Sequence, residues 1–143
     1  MIFLHTELCI QTPQRGFTNV THAIEQTVSQ ASIEQGIVTL FIRHTSASLI
    51  ISESADPAVR EDLEVFLSRL VPDGHPEFQH IWEGKDDMSA HIRSVLTTTS
   101  LSIPVQEGRL YIGRWQAVYL WEHRYHSHSR FISVSLMGES YHR

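Results

Sequence analysis

Apolar side chains recur at every second position near both ends of the chain, and this period predicts β-strands with one buried face. The first run is Ile2–Gln11, and the last is 131–137, where Ile132, Val134 and Leu136 alternate with serines. Residues 37–43 are rich in β-branched and aromatic side chains and predict a central strand. Shorter runs predict further strands at 49–52, 97–105, 109–112 and 115–122.

Helical spacing of apolar residues marks three other segments. The first is 20–31, where Thr18 or Asn19 can cap the helix. The second begins with Asp56 as the predicted N-cap and Pro57 at the first helical position. Its predicted apolar stripe consists of Val59, Leu63, Phe66, Leu67 and Leu70. The third begins after Asp86 or Asp87, and its helically spaced residues are Met88, His91, Ile92 and Val95.

The order of these elements predicts the fold class. One strand and one helix are followed by strands, then by two helices, then by several strands. Strands and helices clustered in this way indicate an α+β fold with a largely antiparallel sheet rather than a doubly wound one. The length of 143 residues, without a repeat or a linker, predicts a single domain over 1–143.

Composition and charge narrow the class of protein. Hydrophobic residues make up 41% and charged residues 19% of the chain, which suits a packed core. The net charge of −5 argues against nucleic-acid binding, which needs a basic surface. Cys9 is the only cysteine, so an intramolecular disulfide and a CxxC metal pair are excluded. No apolar run reaches the roughly 20 residues that span a bilayer, and the first ten residues do not resemble a signal peptide. We therefore expect a cytoplasmic protein without a membrane partner.

Histidines are unusually frequent, and they carry the first candidate chemistry. Six of the ten lie between His75 and His128. His80 and His91 flank the carboxylates of Glu83, Asp86 and Asp87, and histidines with nearby carboxylates suit a divalent metal. The spacing matches no compact zinc motif, and the alternative is a solvated loop whose aspartates cap the next helix.

A second candidate lies where the central strand ends. His44 is followed by the hydroxyls of Thr45, Ser46 and Ser48, which could surround phosphate oxygens. The alternatives are a buried histidine bonded to a backbone carbonyl and ordinary turn hydroxyls. A serine nucleophile lacks the GxSxG context.

Two further groups lie near the C-terminus. Glu122 is followed by histidines and by Arg130, a set that could bind an anion or could form an exposed hairpin tip. Trp115 and Gln116 offer a stacking surface and an amide, or else a core tryptophan with a bonded ring nitrogen.

Seven motifs in the same order make the chain similar to the YjbQ family, members of which are labelled secondary thiamine-phosphate synthases. The resemblance covers about 15–139. The motifs are HTSAS, E-x-x-D-P-x-V-R-x-D, V-P-D-G followed by H, E-G-x-D-D-M-x-x-H-I-x-S, I-P-V-x-x-G-R-L, G-x-W-Q and L-x-E-H-R-x-H.

The resemblance implies an α+β fold with a largely antiparallel, β-sandwich-like core and three flanking helices. It also implies a homotrimer, a metal-containing site near a subunit boundary and a thiamine-phosphate synthase activity. That reaction joins a pyrimidine bearing a diphosphate leaving group to a thiazole phosphate and releases diphosphate. A divalent metal ion, zinc or magnesium, would neutralise the departing oxygens. The partner would be a small phosphorylated metabolite.

The family pattern supplies positions, and the roles are our inference. The expected metal ligands are His44, His80 and His91. The expected catalytic or metal-orienting carboxylates are Asp62, Asp87 and Glu122. The expected substrate-binding residues are Thr45, Ser46, Glu53, Trp115, Gln116 and Arg130.

The chain departs from the family pattern at Thr98, where glycine is common, and at Arg114 and His128, which add bulk and charge.

Two other functions stay open. One is a metal-dependent hydrolase or phosphatase acting on a small phosphorylated metabolite. The other is a non-enzymatic protein that binds a small anion or metabolite.

Overall fold

The computed structural model describes residues 1–141 and contains two antiparallel sheets and three helices. The α+β class is confirmed. Among the described residues, no helix is long and apolar enough to cross a membrane. The strands are β1 (Ile2–Gln11), β2 (Gly16–Asn19), β3 (Ile33–Ile42), β4 (Ala47–Glu53), β5 (Ser100–Gln106), β6 (Arg109–Leu110), β7 (Gln116–Glu122) and β8 (Ser129–Ser140). The helices are α1 (Thr21–Gln30), α2 (Pro57–Leu70) and α3 (Asp87–Leu96).

The larger sheet has the order β1-β8-β3-β5-β6, and the smaller one has the order β2-β7-β4. Both sheets contribute to one hydrophobic core, which α1 joins through Ile24 and Val28. A smaller cluster lies on the other side of β7, where Trp121 packs with Leu67 of α2 and Val71. The smaller sheet therefore lies between the main core and the α2 and α3 helices.

Several predicted elements change at their boundaries. The β2 strand was not predicted, because its four residues carry no clear alternation and are held in place by pairing with β7. The first helix consequently begins at Thr21, and Val20 rather than Thr18 or Asn19 is its N-cap. In contrast, the predicted cap of the second helix is confirmed: Asp56 accepts a hydrogen bond from the amide of Ala58 at 2.9 Å.

The predicted apolar stripes of α2 and α3 are only partly buried. On α2, Leu67 is buried, whereas Phe66 and Leu70 are 70% and 59% exposed. On α3, Val95 is exposed, and the buried face carries Asp87, Ala90 and Arg93 instead. The helical spacing of apolar residues therefore indicated the wrong face of α3. A fully buried arginine is possible only where its charge is paired, and spacing along the helix does not show such a partner.

Candidate metal centre

The structure brings His80, Asp87 and His91 together at the start of α3. One ligand atom from each residue lies within 4.8 Å of the other two. His80 Nε2 is 2.8 Å and His91 Nε2 is 3.1 Å from the same oxygen, Asp87 Oδ2. The cluster is formed by three of the sequence-predicted residues.

Local structure explains this convergence. Asp87 is the first residue of α3, and His91 follows four residues later, so both lie on the same face of the helix. His80 comes from the connection between α2 and α3, which has no regular secondary structure at that point. A single carboxylate thus holds the loop histidine against the helix histidine.

The tautomer of His91 decides whether its Nε2 can act as a metal ligand. Nδ1 lies 3.0 Å from the carbonyl oxygen of Thr45, an acceptor only, so Nδ1 carries a proton and donates it. A neutral His91 therefore has its lone pair on Nε2, directed at a carboxylate oxygen. Two electron-rich atoms in contact repel each other unless a proton or a metal ion lies between them. The arrangement suits a cation shared by His80, Asp87 and His91.

Arg124 holds the other side of the carboxylate. Its Nη1 donates to Asp87 Oδ1 at 2.8 Å, and its Nε donates to Asp86 Oδ2 at 2.9 Å. Its Nη2 donates to the carbonyl of Glu83 at 2.8 Å, on the loop that carries His80. Asp87 is 2% exposed in its side chain, so its charge needs this partner. The guanidinium orients Asp87 Oδ2 toward the two imidazoles.

The donor set indicates the kind of metal. Two imidazoles and one carboxylate match open zinc sites, whereas magnesium prefers oxygen ligands and water. Ligand atoms about 2.1 Å from a tetrahedral zinc lie about 3.4 Å apart, and here the two histidine nitrogens lie 2.8 Å and 3.1 Å from Asp87 Oδ2. The side chain of His80 is 46% exposed, which leaves room for water or substrate as a further ligand.

His44 does not join this cluster, contrary to our expectation. Its Nε2 accepts a hydrogen bond from the amide of Phe131 at 2.8 Å. Nδ1 lies 3.3 Å from Arg130 Nη1, which can only donate, so both ring nitrogens face N–H groups. Burial, followed by the Arg130 charge, lowers the pKa of His44. The ring has no free lone pair for a metal in this arrangement.

Glu122 and Arg130 form a buried ion pair, so neither is placed as predicted. Arg130 Nε donates to Glu122 Oε1 at 2.8 Å, and its Nη2 bonds Glu122 and the hydroxyl of Ser46. Burial raises the pKa of Glu122, but hydrogen bonds from Arg130 and Thr12 outweigh it and lower the pKa overall. An ionised, fully bonded Glu122 is a poor general acid or base. The guanidinium is buried and already paired, which argues against a phosphate-binding role for Arg130.

Glu53, Trp115 and Gln116 lie at the opposite end of the smaller sheet. Glu53 pairs with Gln116, whereas Ala47 pairs with Glu122 six residues further along β7. The two ends of β7 are therefore about 20 Å apart. Asp62 is exposed on α2 and does not belong to the cluster of His80, Asp87 and His91.

At that far end, the side chains already have local partners. The carboxylate of Glu53 accepts hydrogen bonds from the amides of Ala55 and Asp56 in the turn before α2. Gln116 accepts from the amide of Gly113 at 2.6 Å. Trp115 is 54% exposed, with the guanidinium of Arg114 over its ring at 4.7 Å. Thr45 is the one predicted substrate-binding residue beside His91, and it contributes its carbonyl rather than its hydroxyl.

A buried serine and histidine also meet, but not as a nucleophile and its base. His123 Nδ1 accepts from Arg93 Nε at 3.0 Å, so Nε2 carries the proton. That proton points at the hydroxyl of Ser48, 2.9 Å away. A ring that donates to a serine cannot remove its proton. Both residues are fully buried, which indicates a structural role.

Fold and site together define an α+β protein of two antiparallel sheets with an open cluster of two histidines and one carboxylate. The family description "UPF0047 protein YjbQ-like" matches residues 6–139. A Synechocystis protein of this family is 48% identical over 132 residues, which cover 92% of this chain and 90% of the relative. The YjbQ protein of Escherichia coli O157:H7 is 44% identical, with 92% and 96% covered.

Solved structures agree with these relatives. A conserved hypothetical protein of Thermus thermophilus is 37% identical with a TM-score of 0.83, over 92% of this chain and 99% of that one. A YjbQ/UPF0047 protein of Clostridium acetobutylicum is 28% identical with a TM-score of 0.84, over 92% and 99%. The chain belongs to the YjbQ-like UPF0047 family. None of these four names states a reaction.

Proposed function

We propose that His80, Asp87 and His91 bind a divalent metal ion of the zinc type and that this site serves a transferase with thiamine-phosphate synthase activity. One observation supports the metal site: the imidazoles of His80 and His91 both contact the same oxygen of the buried Asp87 carboxylate. When bound, the metal would neutralise the oxygens of the departing diphosphate. The assignment of the reaction comes from the family resemblance.

The residues of this chain have defined tasks in the proposal. Asp87 and His91 provide a rigid half of the site, because Arg124 and the Thr45 carbonyl fix their orientations. His80 provides the exposed half, where a phosphorylated substrate can approach from solvent.

Isothermal titration calorimetry with zinc and with magnesium tests the metal site. We expect tight zinc binding, weaker magnesium binding and loss of both in His91→Ala. His44→Ala is the matched control and should bind zinc like the wild type, because its ring lies outside the cluster. Equal zinc affinity in His91→Ala and the wild type would refute the site.

Chromatographic detection of thiamine phosphate tests the reaction. The wild type, incubated with the pyrimidine diphosphate and the thiazole phosphate, should form product that EDTA abolishes and zinc restores. His91→Ala should form none. Absence of product from the zinc-loaded wild type would refute the transferase assignment.

The exposure of His80 also favours a second candidate, a metal-dependent phosphatase, because water can reach an open metal position. It predicts chelator-sensitive phosphate release from single phosphorylated metabolites. A binding protein would instead show ligand-induced thermal stabilisation without turnover.

We propose in addition that the chain forms a homotrimer. The larger sheet exposes an apolar patch, defined by Phe3, Ile37, Phe41, Phe131 and Met137. The helices expose another, defined by Phe66, Leu70, Val95 and Leu96. A cyclic trimer joins two different surfaces of each copy, so the sheet patch of one chain can cover the helix patch of the next.

Size-exclusion chromatography with light scattering tests the trimer. The wild type should have three times the 16.4 kDa chain mass. Phe41→Glu in the sheet patch and Leu70→Glu in the helix patch should each give monomers. An equimolar mixture should give dimers, because each pair retains one intact interface. A monomeric wild type, or a mixture that stays monomeric, would contradict this pairing.

A further inference from the structure

A cavity of about 350 Å³ lies directly beside the proposed metal centre. It is formed by the loop between α2 and α3 and by the first turn of α3. His80 lines the cavity and also contacts Asp87, so a molecule in the cavity would be next to the metal cluster.

The walls of the cavity are largely apolar. Phe78, Ile81 and Met88 line it together with Pro76. Phe78 and Met88 are half-buried and Ile81 is exposed, so these side chains are accessible from solvent. Aromatic, aliphatic and thioether side chains around a small concave space suit a planar ring.

Lys85 adds one positive charge to the same cavity. It is the only lysine in the sequence, and within residues 1–141 no carboxylate pairs with it. The adjacent Asp86 and Asp87 instead bond Arg124. The stem of Lys85 packs beside Gly74, whose amide donates to the Lys85 carbonyl at 2.9 Å. The backbone of Lys85 is thus held in place, and its ammonium group is available to contact a ligand.

We propose that this cavity binds a small molecule with one planar ring and one phosphate group. The ring lies against Phe78, Ile81 and Met88, and the phosphate contacts the ammonium of Lys85. The inference rests on the proposed function in one respect: a phosphate placed there would also face the metal at His80. Binding of the ring and the contact with Lys85 do not require the metal.

Nuclear magnetic resonance of 13C-methyl methionine tests the proposal, because Met88 is the only methionine in the cavity. Met1 and Met137 line a separate cavity at the larger sheet, so their signals are internal controls that report binding outside the Lys85 cavity. Phenyl phosphate, phenol and inorganic phosphate are titrated in the presence of EDTA. The result is then independent of whether the metal site exists, which the calorimetry decides.

Phenyl phosphate should shift the Met88 signal saturably and leave the Met1 and Met137 signals unchanged. Phenol and inorganic phosphate should each bind more weakly. Lys85→Gln should weaken phenyl phosphate binding about two- to fivefold, the effect of one exposed ion pair, without changing the response to phenol. Arg109→Gln, an exposed cation on β6, should match the wild type. No saturable Met88 shift, or equal affinity in Lys85→Gln and the wild type, would overturn the proposal.

Discussion

His123 is a fully buried histidine whose environment excludes its charged form. Burial, followed by the charges of Arg93, Arg15 and Arg130, lowers the pKa of His123 to about 2. In the unfolded chain the same ring titrates near its ordinary pKa of 6.5. The folded protein therefore binds one proton fewer than the unfolded chain at mildly acidic pH.

This difference predicts how stability depends on pH. The folded pKa is lowered, so the contribution of His123 is complete above pH 6.5 and is lost as the pH falls below it. One proton costs about 1.4 kcal/mol of unfolding free energy per pH unit. Between pH 6.5 and pH 5 the loss from His123 alone is about 2 kcal/mol.

Urea unfolding at several pH values between 5 and 7.5 measures this slope. His123→Gln should flatten the curve, since glutamine can accept from Arg93 and donate to Ser48 without titrating. The matched control His22→Gln, at an exposed position on α1, should keep the wild-type slope. Parallel curves for His123→Gln and the wild type would refute the reasoning.

A direct titration keeps the test decisive if His123→Gln does not fold. The ring carbon and proton signals of His123 in the wild type should remain those of neutral imidazole at pH 5. A protonated ring at that pH in the folded protein would contradict the buried, neutral state.

Two further predictions concern charged groups around the candidate site. Bonds from Arg15, Ser89 and Tyr125 outweigh burial and lower the pKa of Asp73 from 3.8 to about 2. Asp73→Asn should therefore lose about 2 kcal/mol of unfolding free energy at pH 7. Urea unfolding should show that this difference between the variant and the wild type shrinks between pH 4 and pH 2. A difference that does not depend on pH would contradict the prediction. Arg124→Gln should weaken zinc binding 10- to 100-fold in calorimetry, because Arg124 orients the metal-binding carboxylate of Asp87. The control variant Arg109→Gln should bind zinc like the wild type. Wild-type zinc affinity in Arg124→Gln would contradict the orienting role of Arg124.

The strands that alternate and the helix with a strong cap could be predicted from the sequence alone. The Asp56–Pro57 start of α2 is a local signal, and the structure contains it. The β2 strand has no such signal, because its existence depends on β7, about 100 residues further along the chain. Pairing over such distances leaves no trace in a local pattern.

The buried face of α3 shows a different limit of periodicity. An arginine is normally assigned to the surface, yet Arg93 is fully buried. Glu64 on α2 and His123 after β7 bond its guanidinium from two directions. Helical spacing cannot anticipate this, because both partners come from other elements.

The candidate site likewise contains residues that are close in sequence and residues that only the fold brings together. His80, Asp87 and His91 lie within twelve residues, so their proximity was predictable from spacing. The role of Arg124 was missed, because its contacts with Asp86 and Asp87 join segments far apart in the chain. The only signal was its place beside Glu122 in the L-x-E-H-R-x-H motif. His44 was misplaced because its orientation depends on the amide of Phe131, which the sequence does not reveal.

The pairing of arginines also limits how this chain can recognise a phosphate. Arg15, Arg93, Arg124 and Arg130 each bond a carboxylate, and these pairs hold loops and helices to the sheets. Removing one of these guanidinium groups to bind substrate would leave a buried or half-buried carboxylate without a partner, at a cost of several kcal/mol. Among residues 1–141, the positive charge that remains near the candidate centre for a substrate is the ammonium of Lys85, to which the proposed metal would add. A phosphorylated substrate that binds at His80 should therefore depend on these two groups and not on Arg130.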